Sequence, residues 1–222
     1  MIPKTGSWYR FKPADWQFII HSLALSEGSR EGLATLCSDP DEALSILDHP
    51  KLFEAVLMSP QAAMISRELF FFVVVRHTLK RIGVDDLEVA DYIAIVCADF
   101  GVPTTAHGQP QSNLERLYSI DWMQALQKAG KHERFFIHVQ CANQFLVLTC
   151  LFPSFLHHRA QRRGAPDVEF YEQVVINHLD SASKHSLAGE FALEDVFTHL
   201  SEAFLPVRRA MNYTLREYLH LA

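Results

Sequence analysis

Glu68-Leu69-Phe70-Phe71-Phe72-Val73-Val74-Val75-Arg76 is the stretch that separates a helical fold from a mixed one. Its aromatic and β-branched residues suit a buried strand. Apolar residues nevertheless continue at helical spacing through Leu79 and Ile82, a Ser59-Pro60 start signal precedes the run, and Gly83 supplies a stop. A helix that is apolar on every side is normally buried on every side. The segment from Ser59-Pro60 to Ile82 is therefore predicted as a central helix, with Phe71 in the core.

Outward from this run, apolar spacings of three and four cover most of the chain. Helices are expected over about 13–26, 30–37, 40–48, 50–57, 85–100, 131–151, 153–163, 166–187 and 193–220, with Pro206 kinking or dividing the last. Asp39-Pro40-Asp41-Glu42 is a compact helix start, and Ser112-Asn113-Leu114-Glu115 is a capping box. The box opens a helix whose Leu114, Leu117, Tyr118, Trp122, Ala125 and Leu126 share a face, and Gly130 follows it. Val102 to Gln111, holding Pro103, Gly108 and Pro110, reads as a loop. No internal repeat argues for a solenoid. The expected fold is all-α: a single-domain multi-helix bundle over 1–222, with Glu68–Ile82 and Phe135–Leu151 as two central apolar helices. The alternative is a subdivision at 102–111.

Composition agrees with a packed globule. The 222 residues are 49% hydrophobic and include 16 phenylalanines, enough for a sizeable core. Net charge is −6 with both signs interspersed, so the concentrated basic face that nucleic-acid binding needs is not expected. The nearest approach to one is His157, His158, Arg159, Arg162 and Arg163. It reads as a solvated helix end favoured by the helix dipole, or as an anion- or partner-binding patch. Cys37, Cys97, Cys141 and Cys150 form no C-x-x-C pair and read as small thiols in a reducing compartment. Met1 to Phe11 has no apolar h-region, so no secretory signal is expected. Phe135 to Leu156 carries no formal charge apart from the titratable His138 and is long enough to cross a bilayer. It also contains His138, Gln140, Asn143, Gln144 and Pro153, which are costly in lipid. It is therefore read as a central helix of a soluble, cytoplasmic protein with no membrane span.

The common nucleotide-binding, hydrolase and zinc motifs are absent from the sequence. Histidine is the unusual component, with 12 copies, and it is both the commonest metal ligand and the acid–base group of neutral pH. Carboxylate di-iron bundles use Glu-x-x-His on two helices, and the sequence holds it only once, at Glu217-Tyr218-Leu219-His220. Tyr171, His178 and His185 recur every seven residues and so share a helix face. The two histidines would lie about 10.5 Å apart along the axis, too far for one metal ion to join. Glu169 and Glu172 stand on neighbouring faces. His138, Gln140, Asn143 and Gln144 form either a structural polar network or a ligand pocket. Glu68 and Arg76 bracket the Phe-Val run, and either joins an interhelical ion pair or, for Glu68, serves a functional cavity.

Several stretches resemble a family of bacterial all-helical proteins with no assigned function. They are Arg134-Phe135-Phe136-Ile137-His138 through Leu151-Phe152-Pro153, His157 to Ala165 with Tyr171-Glu172, the Leu69-to-His77 run, and Val89-Ala90-Asp91-Tyr92. The resemblance covers most of the chain from residue 40 onward. It implies a bacterial cytoplasmic origin and carries no activity or catalytic residue.

The expected function is a non-enzymatic helical binding or regulatory module without a cofactor, its partner another protein or a second copy of the chain. The alternative is a metal-dependent helical-bundle oxidoreductase or hydrolase holding iron, manganese or zinc through His138, His178 and Glu172. Glu68, Gln140, Asn143, Gln144, Tyr171 and His185 are its candidate polar-pocket residues. A third class is a membrane-surface protein using Phe-rich faces and the basic end at 157–163.

Overall fold

The computed structural model describes residues 6–100 and 119–219. Among them every regular element is helical and no strand occurs. The elements are α1 (Pro13–Leu23), α2 (Glu27–Leu36), α3 (Pro40–Leu47), α4 (Pro50–Met58), α5 (Arg67–Arg81) and α6 (Leu87–Asp99). They continue with α7 (Ser119–Lys128), α8 (Lys131–Leu151), α9 (Pro153–Arg163), α10 (Val168–Ser183), α11 (Ser186–Glu190) and α12 (Glu194–Leu219), and Ser7–Arg10 and Pro60–Met64 are 3-10 turns. The all-α bundle expected from the sequence is observed. The predicted 102–111 loop and Ser112–Glu115 capping box lie outside the described residues. The chain divides into two compact units, Thr5–Ala98 and Asp99–Ala222, with the break in α6 just before that loop. The two apolar helices expected at the centre belong to different units.

In the N-terminal unit α5 packs against α4 and the Ser7–Arg10 turn, and α1 packs against α4. Trp8 and Phe11 each meet Phe72 edge-on, with ring centroids 5.9 Å apart. The Phe-Val run is helical, as its spacing predicts, but the helix starts later than Ser59-Pro60. That signal opens the separate turn Pro60–Met64, and Ser66 makes the real cap, its Oγ accepting the Leu69 N–H at 3.1 Å. The Ser66 N–H in turn donates to the buried Asp15 carboxylate at 2.7 Å, a long-range contact that sets where α5 begins. Phe72 is 1% exposed while Phe71 is only half-buried, which corrects the expectation that Phe71 belongs to the core.

Both charges bracketing the run are paired within this unit. Glu68 meets Arg10 at 3.3 Å, and the buried Arg76 meets Asp48 at 3.0 Å and Asp85 at 2.7 Å. Burial raises the Asp48 carboxyl, but hydrogen bonds from Arg76 and Lys80 outweigh it and hold the group below the usual carboxylate range. Asp91 in α6 is also buried and accepts the N–H groups of Gly6 and Ser7, which ties the first turn to the core.

The C-terminal unit is built on α8, α10 and α12. Phe197, Leu200, Phe204, Val207, Met211 and Leu215 form one apolar stripe on α12, and all are buried. Pro206 lies exposed on the opposite side, and α12 runs through it undivided. Proline has no N–H to donate, so placing it on the solvent side leaves the freed carbonyl to water. No single helix among the described residues is long and apolar enough to cross a membrane. α8 and α9 meet the requirement of length and composition only when taken together, and that pair is bent by 96° at Phe152.

Candidate functional site

The heptad spacing of Tyr171, His178 and His185 acquires its meaning from α8, which carries a matching spacing in the opposite direction. Tyr171 stacks on Phe145 with centroids 4.8 Å apart, His178 meets His138 at 4.9 Å, and the His185 Nε2 lies 3.0 Å from the Lys131 carbonyl oxygen. One step of seven along α10 thus answers one step of seven back along α8, as antiparallel packing requires. The predicted helix 166–187 stops earlier, however. α10 ends at Ser183, and the His185 ring accepts the Leu187 N–H at 3.1 Å as the cap of α11. His185 is therefore a capping residue with both ring nitrogens engaged.

At the middle step three groups meet. The Nδ1 atoms of His138 and His178 are 3.1 Å apart, and the Cys141 Sγ lies 3.6 Å from the other nitrogen of His178, Nε2. Burial lowers the pKa of His178 to about 4, with the neighbouring His138 adding to the effect. Burial also lowers that of His138, helped by His185 and Arg134. Burial pushes the Cys141 thiol up. Both imidazoles and the thiol are therefore uncharged near neutral pH. Cys141 S–H then donates to His178 Nε2, and His178 Nδ1–H donates to His138 Nδ1. The reverse order would need the sulfur, a weak acceptor, to take the bond.

This arrangement limits the chemistry. An activated cysteine needs a thiolate stabilised by a cation, whereas burial here favours the thiol and the neutral imidazole together. Metal binding is geometrically compatible for two ligands only. Two nitrogens 3.1 Å apart, each at about 2.0–2.1 Å from one ion, subtend roughly 100° at it. Cys141 approaches the far nitrogen of His178, so it does not complete that set. Among the described residues no three His, Cys, Asp or Glu side chains converge as a metal cluster.

Glu172, the third ligand proposed from sequence, is engaged elsewhere. It is buried and forms an ion pair with Arg208 of α12. The Arg208 Nη1 donates at 2.9 Å to Asn212 Oδ1, and the Asn212 amide donates to the carbonyls of Thr149 (3.1 Å) and Cys150 at the end of α8. The fully buried Cys150 beside this network has its thiol pushed up to about 12, chiefly by burial. The polar-pocket set is likewise dispersed. Glu68 belongs to the N-terminal unit, Tyr171 is packed on Phe145, and Gln144 is buried in α8 while Asn143 is half-buried. Gln140 lines an open cleft of about 320 Å³ together with Ala125, Lys128, Ala129, Glu133, Phe136 and Ile137.

Sequence reasoning missed Cys141, Arg208 and Asn212. The first had a signal, since His138-x-x-Cys141 puts both side chains on one helical face. Arg208 and Asn212 carried none, because only tertiary packing brings α12 to Glu172. No protein-family model, curated protein or solved structure matches the chain.

Proposed function

We propose that this chain is a non-enzymatic helical binding module of the cytoplasm, which receives an apolar side chain of a protein partner in the cleft of α7 and α8. The cleft carries the reading. Its 320 Å³ falls at the small end of the range for binding pockets. Its floor is Phe136, Ile137 and two alanines, and Lys128, Glu133 and Gln140 supply polar groups of both signs. Phe136 keeps 38% of its surface exposed, and Phe191 beside it keeps 43%, which extends the apolar surface past the cleft. No disulfide joins the four cysteines, which supports a reducing compartment.

Nuclear magnetic resonance titration with indole tests the reading. Amide shifts should concentrate at Ala129, Glu133, Phe136 and Gln140 and disappear in Ala125→Trp, whose ring fills the cleft. Shifts scattered over the chain, or unaffected by the substitution, would refute it.

The contact between His138 and His178 favours a second reading, a metal centre. Imidazole nitrogen with a thiol nearby suits zinc better than manganese or iron among the metals considered. Elemental analysis of protein purified without chelators decides it. Stoichiometric zinc that is lost in His178→Ala supports the centre, and metal-free protein removes it.

A further inference from the structure

The α9 surface carries a chemistry that the cleft does not use. Its buried face is held by Leu156 and Arg159, at 1% and 7% exposure. Its other side chains, His157, His158, Gln161, Arg162 and Arg163, are exposed. No acidic residue occurs from Pro153 through Pro166, although the chain as a whole carries −6, and the exposed Asp167 and Glu169 follow at the start of α10. Among the described residues Arg162 and Arg163 form no ion pair, whereas His157 lies 3.7 Å from Asp167 at the start of α10. A helix C-terminus favours cations, and that alone would account for a solvated end.

The phenylalanines are what a solvated end does not explain. Phe152 and Phe155 at the start of α9 each keep 41% of their surface exposed, and Phe170, in the first turn of α10, keeps 43%. The 96° turn at Phe152 lays α9 across the end of α8 instead of extending it. Aromatic rings and guanidinium groups are thus presented together on one short surface helix with its neighbouring turn. Apolar rings at the acyl boundary and cations at the headgroups are the two contacts that an interfacial helix makes with an anionic bilayer. An acidic peptide would use the arginines and leave the rings in water.

We infer that α9 and the first turn of α10 form a peripheral docking surface for anionic membranes, with Arg162 and Arg163 at the headgroups and Phe152, Phe155 and Phe170 at the acyl boundary. Co-sedimentation of the full chain with vesicles tests it. The protein should pellet with phosphatidylserine-containing vesicles at low salt, stay in solution with phosphatidylcholine alone, and be released by high salt. Each arginine near such a surface contributes roughly five-fold, so Arg162→Gln with Arg163→Gln should weaken partitioning roughly 25-fold. Phe152→Ser with Phe155→Ser should weaken it while leaving the salt dependence in place. Circular dichroism establishes that the variants stay helical. Equal binding to both vesicle types, no binding at low salt, or wild-type partitioning by the double arginine variant would overturn the inference. Binding of polyglutamate without binding of vesicles would also overturn it and assign the surface to an acidic polypeptide.

Discussion

Acidification should loosen the α8–α10 contact well before the carboxylates titrate, and His178 sets the size of the effect. Its pKa is about 4 in the folded chain, against about 6.5 for an unfolded histidine. A depressed histidine pKa means that the folded state resists protonation. Its stabilising contribution is complete above pH 6.5 and is lost as pH falls toward 4. Linkage with these two values gives a loss of about 2 kcal/mol at pH 5 and about 3 kcal/mol at pH 4. His138 shifts in the same direction and adds to the loss. Asp48, held below its usual range by Arg76 and Lys80, contributes only at lower pH and in the other unit. Hydrogen exchange of α8 and α10 peptides between pH 8 and 5, corrected for intrinsic exchange, reads the C-terminal unit directly. His178→Gln cannot take up that proton, so its protection should fall clearly less over that window, leaving only the part that His138 contributes. Equal pH slopes for wild type and His178→Gln would refute the linkage.

Two further predictions concern the cores. Phe72→Ala should cost about 3–5 kcal/mol, while the half-buried Phe71→Ala should cost clearly less, as measured by urea unfolding. Equal costs would contradict the register of α5. Arg208→Met leaves the buried Glu172 carboxylate unpaired and should cost about 3–5 kcal/mol, and adding Glu172→Leu should recover most of it. Strictly additive losses in that double-mutant cycle would show that the pair is not coupled.

The ambiguous Phe-Val run illustrates how far local information reaches. Spacing and caps were enough to make it a helix, because helical periodicity and N-terminal capping are properties of neighbouring residues. The Ser59-Pro60 start signal was misleading, because the cap is Ser66, held by Asp15 fifty-one residues away. The end of α10 tells the same story. Tyr171, His178 and His185 share a spacing that the sequence displays openly, yet only the fold shows that His185 leaves the helix to cap the next one.

The candidate site divides along the same line. The excess of histidine, the polar residues of the Phe135–Leu151 helix and the pairing of the charges around α5 were all legible in the chain. So was the lack of a second Glu-x-x-His. The meeting of His138 with His178 and Cys141, and the capture of Glu172 by Arg208, were decided by tertiary structure. The physical reason is that a helix makes its side-chain faces from residues three and four apart, whereas a site needs two or three such faces in register. Sequence determined which groups each helix could offer here. The antiparallel packing of α8 and α10, and the approach of α12, determined which of them met.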